Sequence, residues 1–179
     1  ASKGITAGRR GYKAALFEGG IGVPFIARWP GKIKANQVDD VSLISAVDLL
    51  PTFCELAGAE LPDQYQPDGV SIVPVLQGKP LTRRNRPLFW KMGASWPARK
   101  DKPDHWVSWA MVHDHWKLVA NRDLSHIQLF DIANDVSEAT DLKSDQPEAV
   151  AALLSQLKSW QASLPDGPKG KVFSKLRDE

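Results

Sequence analysis

Residues 106–120 restrict the fold more firmly than any other stretch, because two alternating runs flank a short polar turn. Trp106, Ser108, Ala110 and Val112 fall on one side of an extended chain, and Val107, Trp109 and Met111 fall on the other. His113-Asp114-His115 forms the turn, and residues 116–120 return as the second strand. Residues 87–92 and 127–132 read as further strands, so the second half is an antiparallel meander. A helix follows an acidic loop over residues 134–142. Ser144 or Asp145 opens it, Pro147 and Glu148 stand in its first turn, and Val150, Leu153, Leu154, Leu157 and Trp160 share one stripe. It stops near Leu164-Pro165.

The front half carries different signals. Glycines bracket an apolar run, Val23-Pro24-Phe25-Ile26-Ala27-Arg28-Trp29, which reads as a strand with its proline at the start, ended by the turn Trp29-Pro30-Gly31. The clearest helix there covers residues 45–57. Ser45 caps it, Asp48 answers its exposed N–H groups, and Gly58 supplies a left-handed stop. Val47, Leu50, Phe53, Leu56 and Ala57 lie on one face, while Pro51 kinks the helix or splits it after one turn. Cys54 reads as a small apolar filler, with nothing basic nearby to activate its thiol. Asp68-Gly69 turns into a short helical piece over residues 71–76, stopped by Gly78. Lys79, Arg83, Arg84 and Arg86 then form a basic, solvated connection, with an anion-binding patch as the alternative.

Composition excludes several classes. The 179 residues hold 23 Lys plus Arg against 21 Asp plus Glu, a net charge of +2 that gives no electrostatic case for nucleic acid. No stretch approaches the roughly 18 apolar residues of a membrane helix, and no leader-like segment opens the chain. One cysteine forbids an internal disulfide. His105, His113, His115 and His126 make no metal-ligand spacing, and Asp39-Asp40 reads as a solvated pair. Six of the seven tryptophans lie beyond residue 89, so the two halves form separate substructures, or the front packs against chain that is not here.

One constellation carries chemistry: Gly11-Tyr12-Lys13, then Glu18-Gly19-Gly20-Ile21, then Val23-Pro24, then Trp29-Pro30-Gly31. With Ser45-Ala46-Val47-Asp48-Leu49-Leu50-Pro51-Thr52, Asp68-Gly69-Val70-Ser71, Pro74, Leu76, His115-Trp116-Lys117-Leu118 and Leu129-Phe130-Asp131-Ile132, this order resembles the C-terminal part of the sulfatase family over residues 8–160. The resemblance implies an α+β arrangement. Residues 1–84 would be the remnant of a large alkaline-phosphatase-like α/β domain. Residues 85–165 would form a roughly four-stranded antiparallel sheet with a packed C-terminal helix, and residues 166–179 a tail.

It also implies that Lys13 contacts the sulfate group in the complete enzyme. An ammonium is a compact charge suited to an ester's oxygens as the S–O bond breaks. Glu18, Gly19 and Gly20 would shape the backbone presenting it, whereas Gly22 stands where many relatives carry arginine. The family's other parts are missing. Cys54 lacks the Cys/Ser-x-Pro-x-Arg context of a formylglycine precursor, and Ser163-Leu164-Pro165 is followed by Gly167 where arginine is required. The calcium ligands have no counterpart. Calcium and formylglycine are thus expected in the full-length enzyme and not in this chain, which is expected to be inactive alone. The implied partners are the N-terminal catalytic portion and a sulfated small molecule or glycan. Association through exposed apolar surface is also expected, as is a periplasmic, secreted or lysosomal setting. Two alternatives remain: a carbohydrate- or sulfate-binding module using Trp90, Trp96, Trp106, Trp109 and Trp116, with Arg83, Arg84 and Arg86 meeting sulfates, and a related phosphate or phosphonate ester hydrolase.

Overall fold

A computed structural model describes residues 5–81, 83–92 and 103–165. Four strands, β1 (Leu88–Lys91), β2 (Trp109–His113), β3 (Trp116–Ala120) and β4 (Ile127–Asp131), form an antiparallel sheet in sequential order. The tight turn between β2 and β3 lies at the expected place, with Asp114 in the left-handed region at φ 53° and His113 paired with Trp116. The first strand of the hairpin is shorter than the alternation suggests. Trp106 belongs to a 3-10 turn, Pro103–Trp106, and Val107 packs on the same side as Ala110. Alternation holds only where a neighbouring strand fixes the pleat, and ladder pairing begins at Trp109.

Both faces of the sheet are covered. On one, Ala110, Val119 and Phe130 pack with Ala15, Leu16 and Phe17 from the front of the chain. On the other, Met111, Leu118 and Leu129 meet Leu153 and Leu157 of α4 (Pro147–Ser163), with Trp160 stacked on Phe89 at 4.7 Å. Pro147 takes the first helical position, but the residue before it is Gln146 and no side chain caps the end, so neither Ser144 nor Asp145 serves. Trp90 and Trp106 join the first core, and Trp109, Trp116 and Trp160 join the second. Trp96 lies outside the described residues, as do residues 166–179.

Residues 23–29 are not a strand. They pair with no other segment among the described residues, and Val23 and Ile26 are 80% and 90% exposed. β-propensity cannot make a strand without a neighbour to take its N–H and C=O groups.

The helix over residues 45–57 forms as a 3-10 turn, Ala46–Asp48, leading into α2 (Leu49–Ala57). Pro51 sits in the first turn of α2, where a missing N–H leaves no bond unmade, and Gly58 closes it at φ 64°. Its amphipathicity is inverted. Val47, Leu50, Phe53 and Leu56 face outward, while Asp48, Pro51 and Thr52 are buried. Cys54 is half-buried rather than a core filler. After α2 the chain forms α3 (Val73–Leu76), and the Ile72 N–H donates to Thr52 Oγ1 at 3.0 Å.

Arg84 departs from the solvated basic connection expected of residues 79–86. It is buried and paired in a two-pronged contact with Asp48, Nη1 to Oδ2 at 2.9 Å and Nη2 to Oδ1 at 2.5 Å. Asp48 also accepts the N–H groups of Ser45 and Val70, both at 2.8 Å. A buried guanidinium is tolerable only because its fork is met by a carboxylate that is itself saturated with donors. Arg83 pairs with Asp114 at 3.3 Å, and Arg86 donates to the Pro67 carbonyl.

Candidate functional site

The segment expected to carry the chemistry is a tight loop folded back on a short helix, α1 (Glu18–Ile21). Two features bring Lys13 to its bend. Ala14 adopts φ 71°, and the Ala15 N–H donates to the Tyr12 carbonyl at 2.9 Å, reversing the chain directly after Lys13. The Gly19 N–H then donates to the Arg10 carbonyl at 2.6 Å, tying α1 to the start of the loop. A Cβ on Gly19 would run into the carbonyl oxygens of Gly11 and Arg10, and one on Gly20 into those of Ala15 and Tyr12. Only glycine admits that approach. Glu18-Gly19-Gly20 therefore does shape the backbone around Lys13.

Just after the bend, Ala15, Leu16 and Phe17 are buried, and each large apolar side chain so covered contributes about 1.5–3 kcal/mol. Arg10 lies over the Phe17 ring at 3.9 Å and pairs with Asp104 at 2.8 Å. The Lys13 side chain is exposed and does not line the cleft that opens beside Glu18 and His115.

Beneath α1 sits a cluster that the sequence does not single out. Lys117, in the middle of β3, is fully buried, with its Nζ 2.8 Å from Glu18 Oε1 and 2.8 Å from Glu138 Oε1. Glu138, also buried, accepts the Glu18 N–H through its other oxygen at 2.6 Å. Burial pushes the Glu138 carboxyl above its ordinary range, and the charge and hydrogen bond of Lys117 pull it back only in part. One signal could have found Lys117. An inner strand has its backbone bonds taken on both edges, so a lysine between Trp116 and Leu118 must find a counter-charge on a covered face. Nothing marked Glu138, one acid among several in an irregular loop.

A cleft of about 740 Å³ opens beside this cluster, with Arg9, Glu18, Asp40, Arg83, Asp114 and His115 on its walls. Two arginines and three carboxylates share these walls, so the cleft offers no single class of ion an advantage. His115 rests against Trp116 at 4.5 Å, and His105 is buried beside Tyr12 at 5.3 Å. Among the described residues no three His, Cys, Asp or Glu side chains converge, so these donors do not fit a calcium cradle. Among the same residues no helix is long and apolar enough to cross a membrane.

Residues 10–163 match the family described as N-sulphoglucosamine sulphohydrolase, C-terminal. The chain belongs to the sulfatase family, as its C-terminal region. A sulfatase of Formosa agariphila is 29% identical over 83% of this chain, which spans 28% of that protein. An N-acetylgalactosamine-6-O-sulfatase of Bacteroides thetaiotaomicron is 29% identical over 84% of this chain, which spans 29% of it. A solved 6S-sulf structure, from a locus for the metabolism of multiple glycosaminoglycans in Bacteroides thetaiotaomicron, superposes with a TM-score of 0.67. Its sequence identity is 26%, covering 87% of this chain and 32% of that one. The sulfatase chain thus spans about three tenths of the relatives it matches, and its sheet and helices are the α+β C-terminal part of an alkaline-phosphatase-like fold.

Proposed function

We propose that this sulfatase region completes an active site that hydrolyses a sulfate monoester of a sugar, with Lys13 contacting the sulfate. The observation that carries the reading is the Lys13 bend itself. A lysine is held at the turn of a loop whose two ends are locked by Gly19, Gly20 and the buried Ala15-Leu16-Phe17. Such a bend fixes where the side chain originates, so only the four-carbon stem of Lys13 remains to be ordered when an anion arrives. In the reaction the ammonium offsets negative charge that gathers on the sulfate oxygens and leaving oxygen. The sugar class is supported by the Bacteroides thetaiotaomicron matches, whose descriptions specify an N-acetylgalactosamine-6-O-sulfatase and glycosaminoglycan metabolism. The formylglycine and calcium that the family resemblance implies would lie in the remaining seven tenths of the polypeptide, and no step through them is assigned to this chain.

The test uses the full-length polypeptide and a panel of sulfated sugars, an aryl sulfate and matching phosphate esters. Lys13→Ala is expected to lower kcat/KM on the preferred sulfate by about 10²–10³-fold, the loss typical of one aimed donor at a developing oxyanion. The 179-residue chain alone is expected to turn over none of the panel. Wild-type rates in the Lys13 variant, or turnover by the chain alone, overturn the proposal. Preference for the phosphate esters reassigns the substrate class.

A further inference from the structure

Glu138 touches both ends of the loop that carries Lys13, though it lies 125 residues further along the chain. Its carboxylate accepts the Glu18 N–H at 2.6 Å, where the loop enters α1. Its backbone carbonyl accepts Arg10 Nη1 at 3.4 Å, where the loop begins. Lys117 holds the same carboxylate in place at 2.8 Å and reaches Glu18 Oε1 at 2.8 Å, so acid, helix and strand close into one ring of contacts. Glu138 sits at φ 52°, a backbone conformation an L-residue adopts at a cost and keeps only when its surroundings demand it.

The demand is visible in the preceding residues. Asp135 accepts the Ser137 hydroxyl at 2.7 Å and the N–H groups of Ala139 and Thr140 at 2.8 and 2.9 Å, wrapping the loop so that Glu138 turns inward. Nothing about folding the sheet requires this arrangement. An aliphatic pair would cover β3 without stranding a lysine and an acid in a dry site, and such replacements are often neutral or stabilising. What an aliphatic pair could not do is fix the height and tilt of α1 by a directed bond to its first N–H.

We infer that Glu138, held by Lys117, is a positioning residue that clamps the loop of residues 10–18 and so sets where the Lys13 ammonium stands. The inference rests on the sulfate-contact reading of Lys13. Glu138 itself is enclosed and acts only through the loop. A displacement of about 1 Å in a positioned group is enough to cost about 10²-fold in rate, and the contact at Glu18 is the sort that a single methylene would undo.

The test is a double-mutant cycle in the full-length enzyme, joined to hydrogen exchange of the loop. Glu138→Asp keeps the counter-charge of Lys117 but withdraws the carboxylate from Glu18, so it should fold. We expect it to lower kcat/KM on the preferred sulfate ester by about 10-fold or more, and Glu138→Ala by up to about 100-fold. With Lys13 already replaced by alanine, Glu138→Asp should cost less than about 2-fold further, because a mispositioned ammonium no longer exists to be lost. Glu138→Gln keeps the reach to the Glu18 N–H and should recover most of the activity. Amides of residues 10–20 should exchange faster in Glu138→Asp, while those of β2 and β3 do not. Equal losses with and without Lys13, or unchanged exchange over residues 10–20, overturn the inference. Wild-type activity in Lys13→Ala alone instead removes the sulfate contact, and the exchange result still decides whether the clamp exists.

Discussion

Asp48→Ala is the most severe single change that the front half of the chain should suffer. The substitution strands Arg84, whose side chain is 1% exposed, without its only carboxylate among the described residues. Breaking one partner of a buried pair costs about 3–5 kcal/mol, because the remaining charge stays dry and uncompensated. The Ser45 and Val70 N–H groups lose their acceptor as well, at about 1–3 kcal/mol for each that water does not reach. The pair lies outside the sheet, joining α2 to residues 70 and 84, so the loss should be local. Hydrogen exchange reads it directly. The Ile72 and Ala59 amides, bonded to Thr52 Oγ1 and the Cys54 carbonyl, report on the knot without touching Asp48. At about 1.4 kcal/mol per factor of ten, their exchange should accelerate roughly 100- to 4,000-fold, up to the limit set by local opening. Amides of β2 and β3 should change little. Replacing both partners, Asp48→Leu with Arg84→Met, removes the stranded charge but not the two orphaned N–H groups, so only part of the protection returns. An acceleration below tenfold in Asp48→Ala, or an equal one in the sheet, would refute the reasoning.

Gly20→Ala puts a Cβ into the Ala15 and Tyr12 carbonyls, so the Lys13 bend must open; kcat/KM of the full-length enzyme should fall by about tenfold or more with sheet exchange unchanged. Asp135 is held below its ordinary range, chiefly by the Ser137 hydroxyl and then by the Thr140 and Ala139 N–H groups. Its contribution is therefore present above the unfolded value and lost as pH falls through the lowered folded one. The Ala139 and Thr140 amides should lose protection in that acid window, and Asp135→Asn should remove the pH dependence. Phe53 and Ile26 are 60% and 90% exposed, so the 179-residue chain should self-associate in light scattering. Phe53→Ser with Ile26→Ser should reduce that association without changing the sheet's exchange.

Elements whose partners lie close in sequence were legible from residues alone. The hairpin around Asp114, the stripe of α4 and the Gly58 stop each depend on a few neighbouring positions, and each stands where the pattern places it. Residues 23–29 have the composition of a strand yet pair with nothing described, since composition supplies the propensity and not the neighbour. Arg84 looked like its neighbours Arg83 and Arg86. Only the fold sends it inward to Asp48, 36 positions earlier. The same distance problem hid the cluster under α1, where Glu18, Lys117 and Glu138 come from three separate segments. Lys13 drew notice only through the family resemblance of the segment around it, since a single lysine between glycines otherwise reads as a surface residue, and what holds its loop from below lies more than 100 positions away.

The two covered faces of the sheet have a consequence for how stability and position are coupled. An antiparallel sheet commonly leaves one face to water, whereas here residues 15–17 lie over the face opposite α4 as a lid of apolar side chains. Those residues follow Lys13 by two to four positions, too short a span for the bend to move while the lid stays seated. Leu16 and Phe17 would together forfeit several kcal/mol on leaving the core, at about 1.5–3 kcal/mol each, before any loss from the ion pairs beneath α1. Opening the bend is therefore opposed by burial, while its height is fixed by the directed contacts that Glu18 makes to Glu138 and Lys117. Burial is non-directional and holds a segment down, and a hydrogen bond to a single N–H sets its tilt. Variants that trim Phe17 should then loosen the loop broadly, and variants that shorten Glu138 should misplace it with the lid still closed.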